Sequence, residues 1–353
     1  MVRRSWRRSA LRRPAYRPRR RRQFGISALL ALLVIAGAVV AVGMLSRRAG
    51  GEQAEALAAY VRANAVEPSA LIARLGASRR LLFLSDIAGA VAPKRMAVEA
   101  IAALAQGPGL DVVVLEVPVD LQSVIERYLN TEPEDAAMLL AAPGLLRQHA
   151  GASQAYLEIY RTVWRENQRV GAHRRIRILA ADRADWPPAG ALSPRAAAEL
   201  FAQRDSAMAE RLEQAVLDVA PRSRALLFLS GFHALRGGHG ELRAGGGEPI
   251  RVRWLASRLA ATYPAEVATI LIDVGAAPTT GGAVADYVGT RAYELLHSHL
   301  GGVPPRAVRV GSAFDFMREP IITRASAGLD FELAPGNLRL GDVADGYIYH
   351  AGG

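Results

Sequence analysis

Two stretches of the chain, "LLFLSDIAGA" at 81–90 and "ALLFLSGFHA" at 225–234, are almost the same text. Each is an unbroken apolar run that stops at a serine and turns polar within three residues. A run that is apolar throughout, rather than alternating, reads as a strand buried on both faces. Two copies written under the same burial constraint are expected to be neighbouring central strands of one sheet.

Working outward, similar runs recur at "DVVVLEVP" (111–118), "RIRILAAD" (175–182) and "ATILIDVG" (268–275), with weaker ones at "RAVRVG" (306–311) and "GYIYH" (346–350). Helical patterns separate the strong runs, for example over 94–105 and 196–219. Strand–helix alternation predicts βαβ units and therefore an α/β fold, a mostly parallel sheet with helices on both faces. No 20–50-residue period recurs, which excludes a solenoid.

The charge sits at one end. Residues 1–22 hold eleven arginines, Arg47 and Arg48 add two, and residues 1–50 have no acid. This segment carries +13 of a +11 total, leaving −2 for the other 303 residues. A near-neutral body argues against nucleic acid as a partner of the main domain, although the basic tail alone suits RNA or anionic lipid. With no cysteine there is neither a disulfide framework nor a thiolate metal site. Residues 24–45 are 22 uncharged residues, long enough to cross a bilayer core of about 30 Å. The arginine excess before them places the N-terminus in the cytoplasm and the rest outside. A cleaved signal is the competing reading, since Arg21 and Arg22 before Gln23 and Phe24 resemble a twin-arginine export motif. The expected organisation is a basic cytoplasmic tail (1–23), a transmembrane helix (24–45), a helical stalk (46–75) and an extracytoplasmic α/β domain (76–353), held by a single span in the inner membrane.

In open parallel sheets, sites form beyond the carboxyl ends of the strands. There the sequence places Asp86, Glu116, Asp182, Ser230 with His233, and Asp273. Glu116 stands out because it lies inside "VVVLEVP", and a buried carboxylate needs a partner or a function. His233 follows the fourth strong run. His239, in "GGHGE", reads as a residue of a Gly-rich loop. At helical spacing, Arg204 and Asp205 fall within the apolar stripe Phe201–Met208–Leu212–Val216. They are expected either to pair with each other or to join a polar network reaching the site. No Walker A, G-x-S-x-G, H-E-x-x-H or G-x-G-x-x-G motif occurs at a fitting place.

These residues resemble the erythromycin esterase and ChaN-like (haem-binding uptake, Tiki) superfamily. In that family the first strand ends in G-E-x-H and the second in a LE-x-P turn. A later helix carries R-D-x-x-M-A-E-N and is followed by a strand ending in G-N-x-H. This chain has "VVLEVP" around Glu116, "RDSAMAER" at 204–211 and "LSGFHA" ending at Ala234. It also has "WRENQRV…RIRILAAD" over 164–182 and the closing "DVADGYIYH" at 342–350. Where the family has G-E-x-H, it has Ser85, Asp86, Ile87 and Ala88, so the acid is shorter and the histidine is gone. The resemblance implies a hydrolase of esters or amides, with His233 as base, Glu116 or Asp86 orienting the imidazole, and Arg204 steadying an anionic centre. In a metal variant, Asp86, Glu116 and His233 hold a divalent ion. The alternative is a catalytically degenerate module that binds haem, a metal complex or a cell-envelope ligand. A third reading is a structural partner in a membrane assembly.

Overall fold

The computed structural model describes residues 51–87, 89–146, 152–171, 174–188, 190, 192–243, 247–274, 290–301, 303–315, 318–319, 323–324, 332–335 and 338–350. The expected tail, the membrane span over 24–45 and Ala88 lie outside the described residues. Among the described residues no helix is long and apolar enough to cross a membrane.

The chain begins with helix α1 over 51–64 and α2 (Pro68–Ser78). It continues through β1 (Leu81–Asp86), α3 (Val91–Gln106), β2 (Val112–Pro118), α4 (Gln122–Leu129), α5 (Ala136–Leu140), α6 (Ser153–Gln168) and β3 (Arg177–Asp182). Then come α7 (Pro194–Leu212), β4 (Ala225–Ser230), β5 (Gly240–Arg243), β6 (Ile250–Val252), α8 (Leu255–Thr262), β7 (Val267–Asp273), α9 (Thr290–Leu300) and β8 (Arg306–Arg309). The short strands β9 (Arg318–Glu319), β10 (Thr323–Arg324), β11 (Glu332–Pro335) and β12 (Leu338–Arg339) precede α10 (Leu340–Val343) and β13 (Gly346–Tyr349).

All seven apolar runs pair into one sheet, in the order β3-β2-β4-β1-β7-β13-β8. The twin runs are parallel neighbours at its centre, in register from Leu81 opposite Ala225 to Asp86 opposite Ser230. Only β8, at the edge, runs antiparallel. Helices cover both faces, as solidly apolar strands require. Leu82, Leu84, Leu115 and Phe228 pack under α2, α3, α4 and α6. The alternate residues Leu81, Phe83, Val114 and Leu229 pack under α7 and α8. A small antiparallel sheet has the order β10-β11-β5-β6, and His239 lies in the connection just ahead of β5, as the sequence presents it.

The expected stalk is, over its described part, a component of the domain. Leu57, Ala58 and Val61 of α1 are buried in the same cluster as Leu271, Val308 and Tyr347. The Tyr60 hydroxyl donates to the Arg309 carbonyl at 3.0 Å, and α2 packs into the core through Leu71, Ile72 and Leu75. An apolar stripe on a helix has to be covered, and here the sheet covers it.

Candidate functional site

Helix α7 is set by Ser193, whose hydroxyl accepts from the Ala196 N–H at 3.2 Å, with Pro194 in the first turn. This N-terminal capping fixes which face turns inward, and Arg204 and Asp205 both lie on the buried face. They do not pair with each other. The Arg204 guanidinium grips Asp182 with two donors, Nε to Oδ1 at 3.1 Å and Nη2 to Oδ2 at 2.6 Å, and Nη2 also donates to Glu116 Oε1 at 2.5 Å. The second oxygen of Glu116 accepts the Ser230 N–H at 2.9 Å. Asp205 Oδ1 lies 2.9 Å from His233 Nδ1 and accepts the Leu255 N–H at 2.5 Å. His233 Nε2 faces Glu116 Oε1 at 3.6 Å, which is beyond a hydrogen bond. Strands β2, β3 and β4 and helix α7 thus bring Glu116, Asp182, Arg204, Asp205 and His233 into one buried network.

An aromatic roof closes it. The Arg204 guanidinium lies 4.2 Å from the Trp186 ring centre, and His233 stacks on Phe201 at 6.1 Å. Trp186 and Phe201 meet edge to face at 5.7 Å. On the far side of the roof a cavity of about 750 Å³ opens beyond the carboxyl ends of β2 and β3, lined by Pro118, Asp120, Leu121, Trp186 and Leu200 among others. A second cavity of about 740 Å³ lies between α3 and α6, beside Arg95, Glu99 and Glu158.

Asp86 is engaged elsewhere. Its Oδ1 accepts from Lys94 Nζ at 2.6 Å and from the Ile87 N–H at 2.8 Å, and Lys94 Nζ also donates to the Ile87 carbonyl at 2.7 Å. Lys94 has no exposed surface. It is the fourth residue of α3, a place where the helix dipole disfavours a cation and the Asp86 carboxylate offsets that cost. Tyr156 of α6 senses both centres. Its burial, the neighbouring Tyr160 and the charges of Asp86 and Glu116 hold its phenol well above the ordinary value.

Burial works to raise the Glu116 carboxyl, but Arg204 and His233 outweigh it and hold the group well below the usual carboxylate range. Burial works to lower the His233 imidazolium, and the carboxylates of Asp205 and Glu116 overcome it, pushing the group up to about 10. Desolvation likewise opposes the Arg204 charge, and Asp182 and Glu116 raise it further.

The expected metal set of Asp86, Glu116 and His233 is not assembled. Among the described residues no group of three or more His, Asp or Glu side chains is arranged to hold a metal ion. The reason is local pairing, since Asp86 is bound by Lys94, Glu116 by Arg204, and His233 by Asp205 through Nδ1. A haem would need an axial base other than His233, which is wholly buried. His239 lies apart from the network, its ring 3.1 Å from Arg251 Nη2. Asp273 accepts from the Tyr347 hydroxyl at 3.1 Å. Asn167, in the segment "WRENQRV", clamps the backbone of Ile176 ahead of β3, with bonds of 2.9 and 2.7 Å.

A parallel-sheet α/β domain with a polar centre at the carboxyl edge of its sheet is a recognised architecture. Solved structures share the fold. The chain superposes on a histidine-to-asparagine mutant of the erythromycin esterase EreC in its open conformation, with TM-score 0.53 and 11% identity, over 80% of this chain and 93% of that one. A Bacillus cereus protein gives TM-score 0.55 at 11% identity, over 84% and 97%. A succinoglycan biosynthesis protein gives 0.56 at 10%, over 84% and 96%. The resemblance read in the sequence therefore holds at the level of the fold. No protein-family model and no curated protein sequence matches the chain.

Proposed function

We propose that this chain is a membrane-anchored ligand-binding domain on the erythromycin-esterase fold, with its polar centre serving as a fixed electrostatic framework rather than as a hydrolytic site. The observation that carries this reading is His233. A general base works best with a pKa near the operating pH and must reach the proton it removes. His233 is completely buried and the carboxylates of Asp205 and Glu116 push it up to about 10, so at neutral pH it is held as the imidazolium, which has no lone pair with which to take a proton. Both oxygens of Glu116 are already engaged, by Arg204 and by the Ser230 N–H. The position where the family carries its other histidine is Ala88.

One observation favours hydrolysis. A carboxylate holding Nδ1, with Nε2 left facing inward, is how base histidines are oriented, and Asp205 and His233 have that relation. Titration of the His233 ring by NMR, together with a panel of ester and amide substrates, separates the two readings. The expected result is an imidazolium that persists to about pH 10 and no turnover above the His233→Ala background. Turnover lost in His233→Ala with melting unchanged would restore the hydrolase.

The arginine-rich tail and the apolar run over 24–45 support anchoring, with the domain outside the cytoplasm. A reporter active only outside the cytoplasm, fused after Gly353, is expected to be active. Activity of a cytoplasmic reporter at the same point would reverse the topology.

A further inference from the structure

Beyond the polar network, the cavity of about 750 Å³ at the carboxyl ends of β2 and β3 has a chemistry of its own. Its walls are apolar and stiff: Pro118, Leu121, Pro187, Pro188, Leu200 and the Trp186 ring. Prolines and a held aromatic ring lose little freedom when they contact a ligand, so such a wall is preorganised. Trp186 is held on two sides, by the Arg204 guanidinium 4.2 Å from its ring centre and by Phe201 edge-on at 5.7 Å. Leu192, on the same lining, is 40% exposed, a large apolar side chain left open at the cavity.

The charge of this lining has one sign. Asp120 and Asp185 contribute carboxylates, and no lysine, arginine or histidine belongs to it among the described residues. Asp185 is neutralised by Arg183 through bonds of 2.7 Å to each oxygen. Asp120, exposed just past β2, is then the carboxylate of this lining that no described lysine or arginine pairs. Apolar walls with a small number of placed polar groups are what small-molecule pockets are made of.

Resting on the ligand-binding reading, we propose that this cavity binds a small organic cation with a flat apolar body, the ring lying against Trp186 and the prolines and the ammonium facing Asp120. The network beneath plays the supporting part of fixing Arg204, and through it the Trp186 ring.

The test is calorimetric titration of the full chain with three probes that share a phenylethyl group: 2-phenylethylamine, 2-phenylethanol and 3-phenylpropionate. The amine is expected to bind at least tenfold more tightly than the alcohol, and the carboxylate most weakly. Asp120→Asn should abolish the preference for the amine, and Asp120→Lys should reverse the order. Both substitutions are at an exposed position and leave the fold intact, which unchanged melting verifies. Equal binding of the three probes, no binding of any, or a preference that survives Asp120→Asn would each overturn the proposal. None of those results touches the His233 argument. Conversely, ester turnover that depends on His233 sinks the binding reading while the order of the three probes stands on its own titration.

Discussion

Strands β1 and β4 share the text LLFLS, lie side by side in register, and end in opposite ways. Strand β1 ends on Asp86, which is neutralised by a buried lysine of α3. Strand β4 ends on Ser230, whose backbone N–H reaches Glu116, and His233 three residues on joins the network under α7. Apolar content alone placed both strands at the centre. The one to three residues past the serine decide which helix layer receives the charge, and so which face holds the polar centre. The two centres also differ in kind, because the cation at Asp86 is a lysine, whereas the other centre gathers three acids, an arginine and a histidine.

The largest effect that would break this comparison is loss of the cation from the bigger centre. Arg204→Met leaves Glu116 and Asp182 buried without their partner, and breaking a buried ion pair costs about 3–5 kcal/mol. The upper end is expected here, read as the midpoint of denaturant unfolding. Lys94→Met takes the cation from one buried carboxylate, Asp86, rather than two, so the lower end of the same range, about 3 kcal/mol, is expected. If Lys94→Met proved the more damaging, the centre at β1 would be the principal one and the ranking of the two would be inverted.

A smaller effect separates them by pH. His233 has its imidazolium raised above the ordinary 6.5 to about 10. A raised group stabilises the fold fully below its unfolded value, and that contribution is lost as pH climbs toward the folded value. Glu116 is depressed below 4.5, so its contribution is present above that pH and is lost as the solution becomes more acidic. Melting temperature should therefore be highest between about 4.5 and 6.5 and should fall from 6.5 to 10. His233→Gln should flatten the alkaline limb while Lys94→Met leaves it in place. An alkaline limb unchanged in His233→Gln would place the titration in some other group.

The sheet was legible because burial on both faces leaves an unmistakable mark. All seven runs are strands of it, and the twin text marked its two central neighbours. Arg204 and Asp205 were legible as charges inside an apolar stripe. Whether they paired with each other or reached outward was not, because that depends on where β2 and β4 stand relative to α7. Lys94 was missed because its burial comes from the approach of α3 to β1, which no local pattern records. The stalk was misread for the opposite reason. An amphipathic helix does not say in its own sequence what covers its apolar face, and here Leu57 and Val61 are covered by Leu271, Val308 and Tyr347 of the same domain. The network's roof went unnoticed because Trp186 lies in an irregular connection, where spacing carries no information about contacts.

The smallest expected effect bears on the two serines themselves. Ser85 is buried, and its hydroxyl accepts the Ile272 N–H of β7 at 2.8 Å. The β1–β7 ladder ends with Leu84 opposite Ile270, so the side chain continues the pairing where the backbone stops. Ser85→Ala would leave a buried N–H without its acceptor, which costs about 1–3 kcal/mol. Ser230 is half-buried and serves the network through its backbone N–H, which alanine keeps. Ser230→Ala should therefore change stability by no more than about 0.5 kcal/mol and leave the His233 titration where it was. Equal costs for the two substitutions, measured by denaturant unfolding, would mean that the hydroxyl at 230 takes part in the site and that the twin strands end more alike than their partners indicate.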